Sequence, residues 1–318
     1  MTRQTAEMPG VPRIDVGALV ESRRGDEAER RRVADQIDAA CAEHGFFTIV
    51  RHGIDAKHLA TLDREARAFF ALPREEKARI AMVHGGRAWR GWFGVGDELT
   101  DGIPDRKEGL YFGTELGADD PRVAAGTPLH GANLFPGRPA GLRPAVLAHL
   151  DQGTRVAQAV LRAMAVGLGH PERWFDDTIC ADPVVLFRIF HYPDPDADEP
   201  ETGPWGVAEH TDYGLLTLLH QDDAGGLEVH GPDGWVEVPP EPGALVCNLG
   251  DMLAALSGGR YRSTPHRVHP PTGAGRLSAP LFLDPSWDAQ VPGIVGSYGD
   301  HLVAKVSRVF PALRAATL

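Results

Sequence analysis

Apolar positions recur at helical spacing in the first half of the chain and crowd into short runs in the second. From Glu27 to His44, residues Val33, Ile37, Ala40 and Cys41 share one face of a helix that Gly45 stops. Phe46–Val50, rich in aromatic and β-branched residues, reads as a strand, and Val11–Asp15 as a short opening one. A second helix is expected over Ala56–Phe70, ended by Leu72 and Pro73. Residues 84–140 are crowded with Gly and Pro and promise no long regular element. A longer helix returns over Arg143–Leu168.

After Pro183 the pattern changes to β-like runs separated by turn pairs. These are Val184–Tyr192, Leu215–His220, Gly226–Val229, Trp235–Val238, Ala244–Asn248, Tyr261–Val268 and Arg276–Leu283. Short strands at this spacing predict an antiparallel sandwich or barrel. Pro193–Glu201 is acidic and proline-rich and reads as a solvated loop, and Gly299–Leu313 as a final helix ended near Pro311. No fixed-period repeat is visible, which removes solenoids and propellers.

Composition narrows the function. The 318 residues include 42% hydrophobic and 24% charged, so the chain has material for a real core and is neither fibrous nor disordered. A net charge of −12 argues against nucleic acid or an anionic membrane as partner. Cys41, Cys180 and Cys247 are too few and scattered for a disulfide framework or a zinc site. No run approaches the roughly 18 apolar residues of a membrane span, and the opening residues lack a signal-peptide core. The expectation is a soluble, cytoplasmic protein.

Four histidine-x-acid pairs occur, and their positions separate them. On a helix the two side chains point apart, which disposes of His149/Asp151. Glu172, after His170 and Pro171, suits a helix dipole. His220/Asp222 runs into a turn and reads as an exposed rim pair. His210/Asp212 begins a β run, where both groups can face a barrel mouth, and a return strand can bring His266 across from them. Two imidazoles and one carboxylate leave adjacent positions of an octahedral ion open, which suits non-haem Fe(II); zinc uses the same donors, so spacing alone does not name the metal. Further on, Arg276 and Ser278 share a strand face, where a guanidinium fork matches a carboxylate.

At these residues the chain resembles a family. Glu209–Leu219, Asn248–Met252, Gly259–Val268 and Arg276–Ser278 are similar to the metal strand, distal histidine segment and co-substrate anchor of the isopenicillin N synthase-like branch of Fe(II)/2-oxoglutarate-dependent oxygenases. Ala40–Phe47, His52–Ile54, Phe69–Pro73 and Pro104–Glu108 resemble that family's N-terminal region. The resemblance implies a mainly β fold with flanking helices: a distorted double-stranded β-helix (jelly roll) behind a mixed, helical N-terminal region. It divides the chain into a flexible tail (1–10), an N-terminal dioxygenase region (11–120), connecting helices (121–182), the oxygenase core (183–287) and a helical C-terminal segment (288–318).

It further implies His210, Asp212 and His266 as ligands of Fe(II), and Arg276 with Ser278 as the clamp on the far carboxylate of 2-oxoglutarate. Tyr192 sits where relatives place a tyrosine that reaches the same carboxylate, with a barrel-wall aromatic as the other reading. Phe190 stands where many plant relatives have asparagine, so a polar contact at the metal end of the co-substrate is expected to be missing. With O2 the implied reaction is oxidation of a small organic substrate, by default hydroxylation, with desaturation or cyclisation open, releasing succinate and CO2. A role in specialised metabolism is the accompanying expectation. Substrate contacts are sought in Trp89–Phe93, Tyr111, Trp205 and Phe282. Two alternatives stay open: an oxidase of the same fold that does without 2-oxoglutarate, and a silent small-molecule binder.

Overall fold

The structure, a computed structural model, describes residues 11–21, 26–100, 102–194, 204–231, 233–271 and 275–310. The expected tail at 1–10 and most of the acidic loop lie outside them. The chain opens with β1 (Arg13–Asp15), α1 (Gly17–Val20), α2 (Glu27–Glu43), β2 (Phe46–Val50), α3 (Ala56–Phe70) and α4 (Arg74–Ala78). The Gly- and Pro-rich stretch folds into short pieces, β3 (Gly91–Phe93), β4 (Leu99–Thr100), β5 (Ile103–Pro104), β6 (Glu108–Gly113) and α5 (Pro121–Ala124). Helices α6 (Leu142–Gly167) and α7 (Trp174–Asp177) then lead to β7 (Pro183–Tyr192), β8 (Val207–His210), β9 (Leu216–Gln221), β10 (Leu227–Gly231), β11 (Gly234–Glu237) and β12 (Leu245–Leu249). After α8 (Asp251–Leu256), strands β13 (His266–Val268) and β14 (Arg276–Ser286) precede α9 (Tyr298–Val309).

Two sheets carry the architecture. The larger runs β1-β2-β12-β9-β14-β7-β6-β3 and the smaller β11-β10-β13-β8, giving the distorted double-stranded β-helix with flanking helices that the resemblance implied. One face of the large sheet is covered by α6, on which α2 and α3 pack. That is why β7 reads as a nearly continuous apolar run rather than an alternation. Its Leu186, Arg188, Phe190 and Tyr192 line the cavity that also holds residues of the small sheet, while Phe187 meets His149 of α6 with ring centroids 4.7 Å apart. Gly153 lets helix and sheet close, since a Cβ there would stand 2.7 Å from Leu281 Cδ1.

The helices start and stop where side chains satisfy their free ends. Asp26 accepts the Glu29 N–H at 2.7 Å to begin α2, and Asp55 accepts that of Lys57 at 2.9 Å to begin α3. Gly45 ends α2 at φ +66°, where a Cβ would also lie 2.3 Å from the Arg262 carbonyl oxygen. α9 carries a reciprocal capping box between Ser297 and Asp300. It covers 298–309, so the last residues of the expected helix lie outside those described.

Three expectations change. Of Tyr261–Val268 only His266–Val268 joins a ladder. The Tyr261 hydroxyl donates to Asp38 at 2.7 Å, tying the segment to α2, and Pro265 has no N–H to give a sheet. His220 and Asp222 are buried, not on a rim. Strand β9 continues to Gln221; His220 Nε2 meets Asp63 at 3.0 Å, and Asp222 accepts the Leu277 N–H at 2.6 Å and the Arg67 guanidinium at 2.6 Å. Glu172 stands just ahead of α7 rather than in its first turn, and its carboxylate also pairs with Arg30.

Candidate active site

β8 and β13 run antiparallel with His210 and His266 as registered partners, so the two imidazoles stand side by side, centroids 4.2 Å apart. Each turns its Nδ1 to a backbone carbonyl two residues back, His210 to Ala208 at 2.8 Å and His266 to Thr264 at 3.2 Å. A carbonyl only accepts, so Nδ1 carries the proton and Nε2 keeps a free lone pair, the tautomer a metal requires. Asp212 follows β8 by two residues, its own carbonyl accepting the Asp251 N–H at 2.8 Å. The Thr217 hydroxyl and the Asn248 amide (2.6 Å) both donate to Oδ2. Oδ1 is left 3.9 Å from His266 Nε2. One donor atom from each of the three residues lies within 4.8 Å of the others, the group of donors among the described residues able to share an ion.

The electrostatics favour the ligand forms. Burial lowers both histidines, and the neighbouring His210 helps bring His266 down to about 4, so both rings are neutral at ordinary pH. Burial raises Asp212, but attraction to His266 and His210 at the acid pH where those rings are charged, with the Thr217 and Asn248 bonds, outweighs it and holds the carboxyl below its usual range. The donor set of two imidazoles and one carboxylate therefore fits a ferrous ion.

Arg276 opens β14 beside Tyr192 on β7 and is almost wholly buried. Its Nε donates to the Gly225 carbonyl at 2.7 Å, its guanidinium lies 4.8 Å from the Tyr192 ring centroid, and Nη1 has no partner. No carboxylate pairs with it among the described residues. Tyr192 Oη and Ser278 Oγ are 3.4 Å apart at the same place. A buried cation with an unused donor beside two hydroxyls is the fit expected of a carboxylate clamp. All three residues line one cavity of about 780 Å³ together with His210, Asp212 and His266.

Phe190 also lines it, with Lys107 Nζ 4.7 Å above its ring. Lys107 pairs with Asp105 at 2.6 Å and Glu98 at 3.0 Å, and Glu98 accepts the Tyr111 hydroxyl. Of the aromatic residues considered for substrate contact, Phe282 is on the cavity wall. Trp205 instead covers Arg267, and Trp92 donates to Glu108 at 2.9 Å. Thr217, Arg188 and Tyr213 were not singled out in sequence. Tyr213 and Thr217 lie within the Glu209–Leu219 segment without a role of their own there, and the fold brings them and Arg188 to the cavity.

The chain matches the 2OG-Fe(II) oxygenase superfamily over residues 183–285 and the N-terminal family of a non-haem dioxygenase in morphine synthesis over residues 11–138. It is 39% identical to a probable iron/ascorbate oxidoreductase of Dictyostelium discoideum, over 96% of each chain. The chain belongs to the 2OG-Fe(II) oxygenase superfamily. Within it, a 1-aminocyclopropane-1-carboxylate oxidase of Dictyostelium mucoroides is 32% identical over 95% of each chain. Among solved structures, a full-length Neurospora crassa protein in complex with alpha-KG superposes with a TM-score of 0.78 at 27% identity, covering 97% of this chain and 99% of that one. The protein is an Fe(II)- and 2-oxoglutarate-dependent oxygenase acting on a small molecule. No helix among the described residues is long and apolar enough to cross a membrane.

Proposed function

We propose that His210, Asp212 and His266 bind the Fe(II), and that Arg276, Ser278 and Tyr192 hold the far carboxylate of 2-oxoglutarate, in an oxygenase whose default outcome is hydroxylation. The observation that carries this is the Asp212 carboxylate, one oxygen fixed by Thr217 and Asn248 and the other left among two unprotonated imidazole nitrogens. Bound Fe(II) with 2-oxoglutarate and O2 supplies an oxidant strong enough for an unactivated C–H bond, with succinate and CO2 released. The chain positions and shields. β8 and β13 fix the imidazoles, Arg276 neutralises and orients the co-substrate, and the walls decide which substrate carbon is presented. We assign this chemistry to residues 183–287 and infer a cytosolic location, which the three free, buried cysteines suit.

The test is anaerobic titration with Fe(II) and then 2-oxoglutarate, following the weak visible charge-transfer band of the chelate. The band is expected in the wild type, absent in Asp212→Ala and His210→Ala, and at least tenfold weaker in apparent 2-oxoglutarate affinity in Arg276→Gln. Full band formation in the first two variants under trace-metal control would refute the ligand assignment.

A further inference from the structure

Arg188 lines the same cavity without any ion pair or hydrogen bond among the described residues, and its Nε is buried without a partner. It projects from the middle of β7, next to Tyr111 of β6 in register and near Phe282 of β14 on the other side. Its guanidinium carbon lies 4.2 Å from the Tyr111 ring centroid and 4.8 Å from that of Phe282. An aromatic ring from each neighbouring strand thus stands against the guanidinium.

The acids whose fields reach it are committed elsewhere. Glu98 takes the Tyr111 hydroxyl and Lys107. Asp212 takes Thr217 and Asn248 and faces the histidines. Asp284 accepts the Tyr298 hydroxyl at 2.7 Å and the Leu215 N–H at 3.3 Å. A guanidinium that opens on a cavity with its Nε buried and no oxyanion of its own is left short of a partner until something completes it.

Arg188 also stands apart along the sheet from the co-substrate clamp. It lies four residues along β7 from Tyr192, the register partner of Arg276, which is about 13 Å at the rise of a strand. The four carbon–carbon bonds of 2-oxoglutarate, of about 1.5 Å each, span less than half of it. Lys305 and Arg308 of α9, also on the cavity and outside any ion pair among the described residues, add positive charge in a chain of net charge −12.

We propose that Arg188 is the substrate anchor, and that the substrate is an organic carboxylate held edge-on by this guanidinium. The assignment rests on the proposed function above, because the anchor is defined relative to the co-substrate clamp. A planar fork flanked by two aromatic rings selects a planar, bidentate acceptor over a spherical or neutral one.

The test uses the Fe(II)-loaded protein saturated with 2-oxoglutarate, kept anaerobic, and titrated calorimetrically with phenylacetate, cinnamate and octanoate, each beside its primary amide. At least one acid is expected to bind at least tenfold more tightly than its amide. In Arg188→Gln that preference should fall below threefold while 2-oxoglutarate affinity stays within twofold. Arg188→Lys, which keeps the charge and loses the fork, should lower the preference at least threefold and serves where Arg188→Gln does not fold. Equal binding of acids and amides, binding of no acid, or a tenfold loss of 2-oxoglutarate affinity in Arg188→Gln would each overturn the proposal. Failure of the charge-transfer band in the wild type would instead remove the co-substrate reading beneath it.

Discussion

A carboxylate can turn about its own bond and offer either oxygen. That of Asp212 cannot, because the Thr217 hydroxyl and the Asn248 amide both donate to Oδ2. Removing either donor frees the rotation without removing a ligand. Thr217→Val and Asn248→Ala are each expected to weaken Fe(II) binding roughly 10- to 100-fold, measured by anaerobic metal titration, with the fold intact by circular dichroism. His149 gives a pH prediction of a different kind. Burial among Phe187, His58 and neighbouring histidines pushes it down to about 3. In the unfolded chain it titrates near its ordinary 6.5, so between these values the unfolded state binds the extra proton. Its contribution to stability is complete above pH 6.5 and is lost as the pH falls towards 3. His149→Leu should therefore gain thermal stability relative to the wild type on going from pH 7 to pH 4.5; an unchanged difference in Tm across that range contradicts the assignment.

At the scale of elements, the corner between α2 and β2 helps to position His266 and Asn248, which lie far from it along the chain. The Arg262 N–H donates to the Cys41 carbonyl at 3.1 Å and the Thr264 hydroxyl to that of His44 at 2.7 Å, fixing the approach to His266. The Leu249 N–H reaches the Gly45 carbonyl at 3.2 Å, beside Asn248. Gly45→Ala puts a Cβ against the Arg262 carbonyl at a positive φ. About 1–3 kcal/mol of lost stability is expected by chemical denaturation, with weaker Fe(II) binding, since the strained segment is the one that carries His266. An unchanged denaturation midpoint would contradict it.

These elements also show where the sequence was legible. Helix periodicity with the stop signals Gly45 and Leu72/Pro73 gave α2 and α3 nearly to the residue, because helix ends are decided locally. The pair Arg276/Ser278 stood out because a strand places alternate residues on one face; His210/Asp212 reads the same way, but His210 ends β8 and Asp212 lies beyond the strand. Tyr261–Val268 misled because its aromatic and β-branched residues suit a strand, whereas the long-range bond from Tyr261 to Asp38 decides its path. His220 and Asp222 misled for a similar reason: their partners Asp63, Arg67 and Leu277 are distant in sequence. Arg188 was invisible because nothing in its neighbourhood along the chain reveals that its nearby acids are already engaged.

Over the whole molecule, the cavity lies between the two sheets and draws its polar groups from both. His210 and His266 belong to the small sheet, Arg276 and Tyr192 to the large one. Ligands that engage both ends stabilise the folded state by mass action, about 2.7 kcal/mol at a hundredfold excess over Kd. Tm should rise on adding Mn(II) with 2-oxoglutarate by more than the sum of the two separate shifts, and EDTA should restore the metal-free value. Additive or absent shifts would mean that the two sites do not share one cavity in solution.

The most direct measurement is a crystal structure of protein loaded anaerobically with Fe(II), with anomalous differences collected on both sides of the iron edge. One peak is predicted, about 2.0–2.2 Å from His210 Nε2, His266 Nε2 and Asp212 Oδ1. A fully loaded crystal with its iron anywhere else, or with any of these three atoms turned away from it, would contradict the account.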